Sequence, residues 1–243
     1  MHSHDLLDAL AHHDDRAEEA ILAARQNPVV LRSVFARYLV DAAEAPGQNL
    51  RDYPALRLVA MLMAEWRAKE ACRPLMQILR SDLRHLDRVW GEQLVECGPR
   101  LVAAVFDGEV EPIFGFIRDP GCAEPLRANM FRTLTMLALK DRLACDDVAS
   151  FLRYFAAVEA RSAGPALWLG WAQAIAALGR EDLALSVRNA YDRGLLDADF
   201  YPRALFEAHL QLACDEGPAW FTQQIENQIE VDTLKVFRLY LKH

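Results

Sequence analysis

Two acidic residues one helical turn apart are the first candidates for chemistry in this 243-residue chain. Glu92 and Glu96 face the same way if their helix is continuous, and Trp90 precedes them closely. Paired carboxylates bind a metal or exchange a proton when their surroundings push their pKa values apart. They are also typical of an exposed helix face, with Arg88 as an ion-pair partner four residues before Glu92. Trp90 is the tryptophan that we expect at a surface.

Arginines in the same segment form a second candidate site. Arg80, Arg84 and Arg88 recur every four residues, which predicts a cationic stripe along a helix. Guanidinium groups in such a stripe suit an acidic peptide, a phosphate or RNA. Asp82 and Asp87 lie among them, so the alternative is a solvated face whose charges compensate internally. The candidate binding residues, none of them assigned a catalytic role, are Trp90, Glu92, Glu96, Arg80, Arg84 and Arg88.

The remaining chemistry-bearing residues favour structural roles. His209 falls on an apolar helix face, as expected for a buried, hydrogen-bonded imidazole. Several histidines near the N-terminus stand among aspartates, which favours a solvated cap over a metal site. The chain has no glycine-rich phosphate loop, HExxH sequence, nucleophile elbow or dinucleotide fingerprint. We therefore expect no metal and no cofactor, and we favour a protein that is not an enzyme.

Composition limits the class of protein and its partners. Hydrophobic residues make up 53% and charged residues 26%, which is typical of a globular chain. The net charge of −8 argues against a non-specific nucleic-acid binder. The five cysteines are widely spaced and lack a CxxC pair, and we see neither an export signal nor an apolar stretch of membrane-spanning length. These features predict a cytoplasmic protein with reduced thiols that does not enter a membrane.

The elements that must position these residues follow a recurring pattern of apolar helix, short charged turn and second amphipathic helix. The intervals between successive turns are about 40, 34 and 39 residues, the period of helical-pair repeats. Such pairs bury their apolar faces by stacking on neighbours, so the sequence predicts an all-α solenoid of HEAT-like pairs, an α-α superhelix. The turns lie at Trp66–Glu70, Phe106–Glu109, Lys140–Arg142 and Gly179–Asp182.

Local signals predict several helix boundaries. Two short helices should be separated near residues 12–15, and the next should run from Pro28 to about Ala43. We place Val30, Leu31, Val34 and Tyr38 on the apolar stripe of that third helix. A later apolar pattern runs from residue 86 to 106, and the Pro99 ring should kink or split it.

The chain contains no obvious linker between domains. We therefore predict a single repeat domain over 1–243, with N-terminal capping helices in 1–50, about four helical pairs in 51–195 and C-terminal capping helices in 196–243. Apolar residues of the final segment, 225–241, are expected to cover the last repeat or to form a dimer contact.

Several of these segments resemble a known family. They include the run Trp66-Arg67-Ala68-Lys69-Glu70-Ala71, residues 91–96, residues 101–109 with their Phe-Asp-Gly-Glu turn, and residues 190–195. Together they look like the bacterial domain-of-unknown-function family number eleven-eighty-six, over roughly residues 5 to 205. The resemblance implies a HEAT-like helical array without an assigned activity. Some relatives carry a cysteine-rich metal-binding tail, which is not present here, so no zinc site is carried over.

Three functional hypotheses follow from the sequence. The first is a non-catalytic scaffold that binds another protein or a peptide on a solenoid surface. The second is an enzyme or small-ligand protein with a concave pocket near Trp90, Glu92 and Glu96. The third is nucleic-acid binding through the arginine stripe, which the acidic composition disfavours.

Overall fold

The computed structural model describes residues 3–12, 14–45, 49–91, 94–158, 163–224 and 227–240. Over these ranges the regular secondary structure is helical and contains no strand, which confirms the all-α prediction. The tertiary contacts separate into two compact units, one formed by Met1–Asp107 with Ile229–His243 and the other by Gly108–Gln228. The predicted organisation as one repeat domain stays a prediction.

The first unit holds helices from both ends of the chain. Short 3-10 turns at Leu50–Asp52 and Lys69–Ala71 connect some of them. Its helices are α1 (Ser3–Leu10), α2 (Asp15–Gln26), α3 (Pro28–Ala43), α4 (Leu56–Glu65), α5 (Cys72–Ile78), α6 (Leu83–Trp90), α7 (Leu94–Val105) and α15 (Thr233–Tyr240).

The second unit is built around contacts of α9 and α13 with α11. Its helices are α8 (Glu111–Arg118), α9 (Glu124–Leu139), α10 (Cys145–Val158), α11 (Pro165–Ala177), α12 (Glu181–Asp192), α13 (Arg203–Glu216) and α14 (Ala219–Thr222).

The predicted boundaries near the N-terminus are confirmed. The Asp14 side chain accepts a hydrogen bond from the Arg16 N–H at 3.0 Å and starts α2, because the first N–H groups of a helix lack internal partners. Helix α3 begins at Pro28 and ends at Ala43. Its apolar stripe differs from the prediction: Leu31, Phe35, Leu39 and Ala42 are buried, whereas Val30 is exposed.

The helix break in the 86–106 pattern lies at Gly91 and not at Pro99. Gly91 follows α6 with φ of 65°, a left-handed conformation that glycine adopts without a steric penalty. Helix α7 runs through Pro99 to Val105. The prediction of a split at Pro99 was therefore wrong. Burial of Leu101, Val102 and Val105 offsets the backbone hydrogen bond that the proline removes.

Four helices end in the same backbone arrangement. Arg67, Asp141, Gly179 and Gly194 follow them with φ of 52°, 54°, 62° and 67°. In each case the next N–H donates to a carbonyl five residues earlier at 2.9–3.1 Å, which caps the last turn. The first three of these residues lie in turns that the sequence repeat predicts. The remaining predicted turn, Phe106–Glu109, differs from these three. Its residue with positive φ is Gly108, at 110°.

In the first unit, Glu65 holds the C-terminal segment against the N-terminal helices. Its carboxylate lies 2.7 Å from Nε of Arg25 and accepts a hydrogen bond from the Thr233 N–H at 2.9 Å. Arg25 also reaches Asp232 at 2.5 Å. Helix α15 thus packs against α2 and α4. The expectation that residues 225–241 cover the last repeat or form a dimer contact stays a prediction. A carboxylate beside the first residue of α15 also interacts favourably with the helix dipole.

In the second unit, α11 approaches α9 closely at a glycine. A Cβ atom at Gly170 would lie only 2.6 Å from the Ala128 carbonyl oxygen, so the two backbones meet where no side chain intervenes. Trp168 and Trp171 on the same helix are buried, and Trp171 Nε1 donates to the Leu152 carbonyl at 2.9 Å. The partner satisfies the indole N–H that burial removes from water.

Gly170→Ala is expected to lower the free energy of unfolding by about 1–3 kcal/mol, because the added methyl group overlaps a backbone oxygen that cannot rotate away. Gly115→Ala in α8 is the matched control. Its new Cβ would meet nothing within 4 Å, so alanine should raise stability by about 0.5–1 kcal/mol through helix propensity. Urea unfolding followed by circular dichroism measures both. Equal effects of the two substitutions would contradict the close approach.

The helix-ending residues give a second pair of substitutions with opposite signs. Asp141→Gly should raise the free energy of unfolding by about 0.5 kcal/mol, since glycine relieves the left-handed strain of an exposed position. Gly179→Ala should lower it by about 1 kcal/mol, although a Cβ there makes only ordinary contacts with Ala213 at 3.7 Å. The same urea titration compares them. A stabilising Gly179→Ala would show that the backbone conformation is not the cause.

Candidate functional site

Trp90 does not lie at a surface. Its side chain is 0% exposed, on the buried face of α6 with Leu86, so the expectation of a surface tryptophan was wrong. The indole Nε1 is buried and has no hydrogen-bond acceptor among the described residues. Because α6 is short and its other faces are charged, the apolar indole fills the interior and leaves the arginines at the surface.

The carboxylate pair proposed from the sequence lies outside what the structure describes. Glu92 is not among the described residues. Glu96 belongs to α7, which begins at Leu94, but its side chain is not described. Acid–base or metal chemistry by this pair therefore stays a prediction from spacing alone.

The three arginines do not form a continuous stripe. Arg80 lies in the turn before α6, whereas Arg84 and Arg88 lie on that helix. Asp82 caps α6 through the Arg84 N–H and also pairs with the Arg84 guanidinium, both at 2.9 Å. Hydrogen bonds from the Arg84 side chain lower the pKa of Asp82 to about 2, so the aspartate stays charged. The predicted charge compensation is present at Arg84.

Arg88 instead faces a small cavity between α6 and the 3-10 turn Leu50–Asp52. The cavity has a volume of about 170 Å³. Leu50 is buried and anchors the turn against α6, which places the neighbouring Arg51 at the rim. His85 precedes Arg88 by three residues, so both side chains project from one face of the helix. We name this cavity the α6 pocket, and its lining residues are Asn49, Leu50, Arg51, His85 and Arg88.

The α6 pocket gathers polar groups that lack partners. Among the arginines in the described ranges, only Arg51, Arg88 and Arg193 have neither a hydrogen-bond nor an ionic partner. Two of these three line the same cavity. The Nδ1 atom of His85 is buried and accepts or donates no hydrogen bond within the described part of the chain. Such a cluster is chemically suited to an oxyanion.

A second surface feature lies on α3. Val29 and Val30 are 86% and 68% exposed, and these are the two largest exposed fractions among the described valines. Val29 lines an open groove of about 590 Å³ whose floor contains the small residues Ser33 and Ala36. We name this groove the α3 surface, and its lining residues are Val29, Arg32, Ser33, Ala36 and Glu70.

The edge of the α3 surface is polar. The Arg32 guanidinium donates two hydrogen bonds to Glu70 at 2.8 and 2.7 Å, in the bidentate arrangement that suits a carboxylate. Hydrogen bonding from Arg32 lowers the pKa of Glu70. An apolar strip bordered by a charged pair resembles the core and rim of a protein–protein interface.

His209 has the structural surroundings that the sequence predicts. Its Nδ1 lies 3.1 Å from the Tyr201 hydroxyl, and its ring centre lies 5.1 Å from that of Trp220. Partial burial lowers the pKa of His209, which favours the neutral imidazole. This arrangement joins α13 to α14.

Two further kinds of site, a metal centre and a membrane-spanning helix, have recognisable structural requirements. No group of three histidine, cysteine, aspartate or glutamate side chains in the described ranges is arranged to hold a metal ion. No helix formed by the described residues is both long and apolar enough to cross a bilayer. His12, one of the N-terminal histidines, lies 3.0 Å from the Arg16 guanidinium through Nδ1.

Sequence reasoning found Arg88 but missed most of its neighbours. Asn49 and Arg51 come from a turn remote in sequence, and no spacing rule connects them to α6. The α3 surface was missed because sequence reasoning considered only the buried stripe of α3 and assigned no role to Val29, Ser33 and Ala36. The signal available was the Asn27-Pro28 helix start, from which Leu31, Phe35 and Leu39 define the opposite face.

Comparison with known proteins identifies the family. The model of a family described as "Protein of unknown function (DUF1186)" matches residues 28–238, which is most of the chain. No curated protein and no solved structure matches this chain. The family resemblance read from the sequence is thereby confirmed. The chain belongs to the DUF1186 family of proteins of unknown function.

Proposed function

We propose that this protein is a non-catalytic interaction module that binds an amphipathic helix of a partner protein on the α3 surface. The observation that supports it most directly is the exposure of Val29, whose side chain is 86% exposed in the first turn of α3. An apolar side chain exposed to this degree gains free energy when a partner removes it from water.

The shape of the α3 surface favours a helical partner. Val29, Ser33 and Ala36 follow the spacing of one helix face, and the last two side chains are small. Small residues let a second backbone approach closely, as ridges of one helix enter the groove of another. The Arg32–Glu70 pair would then lie at the polar rim and fix the partner's register.

We further propose that the helical pairs stack as HEAT-like repeats, and that the protein works in the cytoplasm. The recurring left-handed turns at Arg67, Asp141 and Gly179 support the repeat, because the same backbone arrangement ends the first helix in three of the four predicted pairs. The spacing of the cysteines supports a reducing compartment. Neither alternative from the sequence gains comparable support, since Trp90 is buried and Arg84 is paired with Asp82.

The test is photo-crosslinking in the source cells, with a photoreactive amino acid placed at Val29. A discrete adduct with one partner is expected at this position. Leu185, on α12 and 65% exposed, is the matched control position and should give no such adduct. Both side chains are exposed, so the replacements should change the free energy of unfolding by less than about 0.5 kcal/mol.

A second substitution distinguishes specific binding in the groove from non-specific binding to an exposed apolar residue. Ala36→Glu places a charge on the floor of the α3 surface and should abolish the adduct at position 29. Adducts of equal yield at positions 29 and 185, or an adduct at 29 that Ala36→Glu leaves intact, would refute the proposal.

A further inference from the structure

We propose that the α6 pocket binds the phosphate group of a small molecule, with Arg51 and Arg88 as its charged ligands and His85 as a further hydrogen-bond partner. This site is separate from the α3 surface and does not depend on the interaction proposed for it. The geometry that supports it is that Arg51, Arg88 and His85 line one cavity, that neither arginine has a partner among the described residues, and that the buried Nδ1 of His85 makes no hydrogen bond there.

The charge balance of the chain makes this convergence informative. Acidic residues outnumber basic ones, and the net charge is −8, so carboxylate partners are abundant. Most arginines in the described ranges have found such partners or carbonyl acceptors. The acidic residue of the 3-10 turn, Asp52, accepts a hydrogen bond from Asn49 at 2.8 Å. Two arginines that stay unpaired beside one cavity therefore leave their positive charge for an external anion.

The donors suit a phosphate better than a carboxylate. Each guanidinium presents a planar fork of N–H groups, and a tetrahedral dianion offers oxygens to several donors at once. Imidazole adds one more donor in the tautomer that protonates Nδ1, or in the charged form. A carboxylate has only two oxygens and would leave part of this set unsatisfied.

The size of the pocket favours a single terminal phosphate over a nucleic-acid backbone. A volume of about 170 Å³ is roughly ten times what one water molecule requires, which is enough for a phosphate group with its first waters. A polymer would need a row of cations. That row is interrupted because Arg84 pairs with Asp82 and Arg80 lies off the helix. The strongly acidic chain also opposes an extended polyanion.

Isothermal titration calorimetry tests the site with phenyl phosphate, inorganic phosphate, acetate and a single-stranded RNA oligonucleotide as probes. Saturable binding of at least one phosphate compound is expected, with acetate weaker by about tenfold or more. Arg51→Gln and Arg88→Gln should each weaken phosphate binding by about tenfold or more. Arg193→Gln is the matched control, because Arg193 is also exposed and unpaired but lies on the other unit, and it should leave binding unchanged.

The probes also separate the possible ligands. Tighter binding of phenyl phosphate than of inorganic phosphate assigns the site to phosphate monoesters, and equal binding assigns it to free phosphate. The proposal is overturned if neither compound binds saturably, or if Arg193→Gln weakens binding as much as Arg88→Gln. Salt-sensitive RNA binding that depends equally on Arg84 and Arg88 would overturn it in favour of nucleic acid. Urea midpoints of the variants, expected within experimental error of the parent, show that exposed substitutions leave the fold intact.

Discussion

The reversal of the chain after each apolar helix is the constraint on which the rest of the structure depends. A helix that must pack against its successor has to end within a residue or two, and a left-handed residue does this by capping the last carbonyls. Glycine takes that conformation freely at Gly179 and Gly194. Arg67 and Asp141 take it at a steric cost of about 1–2 kcal/mol. That cost is met by burial, since α4 before Arg67 buries nearly all its side chains.

Ion pairs then decide which arginines are structural. Arg25 joins α2, α4 and the segment before α15 through Glu65 and Asp232, and Arg238 returns from α15 to Glu18 at 2.6 Å. Exposed pairs contribute little individually, but Arg25, Glu65 and Asp232 form a partly buried network, and the Arg238–Glu18 pair adds a further contact of α15 with α2. The first unit thereby includes a segment from the far end of the sequence. An arginine outside such a network, as at Arg51 or Arg88, has its charge left for another purpose.

Sequence reasoning succeeded where the cause is local. Pro28 marks a helix start through its own backbone preference, and the Arg84–Asp82 pair follows from two residues on one turn. It failed where tertiary packing decides. Gly91 and Pro99 both disfavour a helix, and only the burial of α7 shows which of them ends one.

The candidate site shows the same division. Arg88 could be predicted from spacing, but its role could not, because that depends on whether a carboxylate reaches it. Arg51 is distant in sequence and enters the α6 pocket through the fold alone. The exposed α3 face depends on which side of the helix the unit buries, and the buried residues are Leu31, Phe35, Leu39 and Ala42. The buried stripe contains Phe35, whose ring stacks on that of Trp66 with 5.5 Å between the ring centres. Burial of this large aromatic side chain removes more apolar surface from water than burial of Val30 would.

Hydrogen bonds of two tyrosines hold the segment that follows Arg51 against α3. The Tyr53 hydroxyl donates to the Asp41 carbonyl at 2.9 Å, and the Tyr38 hydroxyl accepts from the Ala55 N–H at 3.2 Å. Burial raises the pKa of the Tyr38 phenol to about 12, so this group is neutral at physiological pH. These bonds fasten the segment after the 3-10 turn to α3 from both sides. Since neutral groups hold the backbone in place, the fold does not require Arg51 to form an ion pair, and its charge is left beside Arg88.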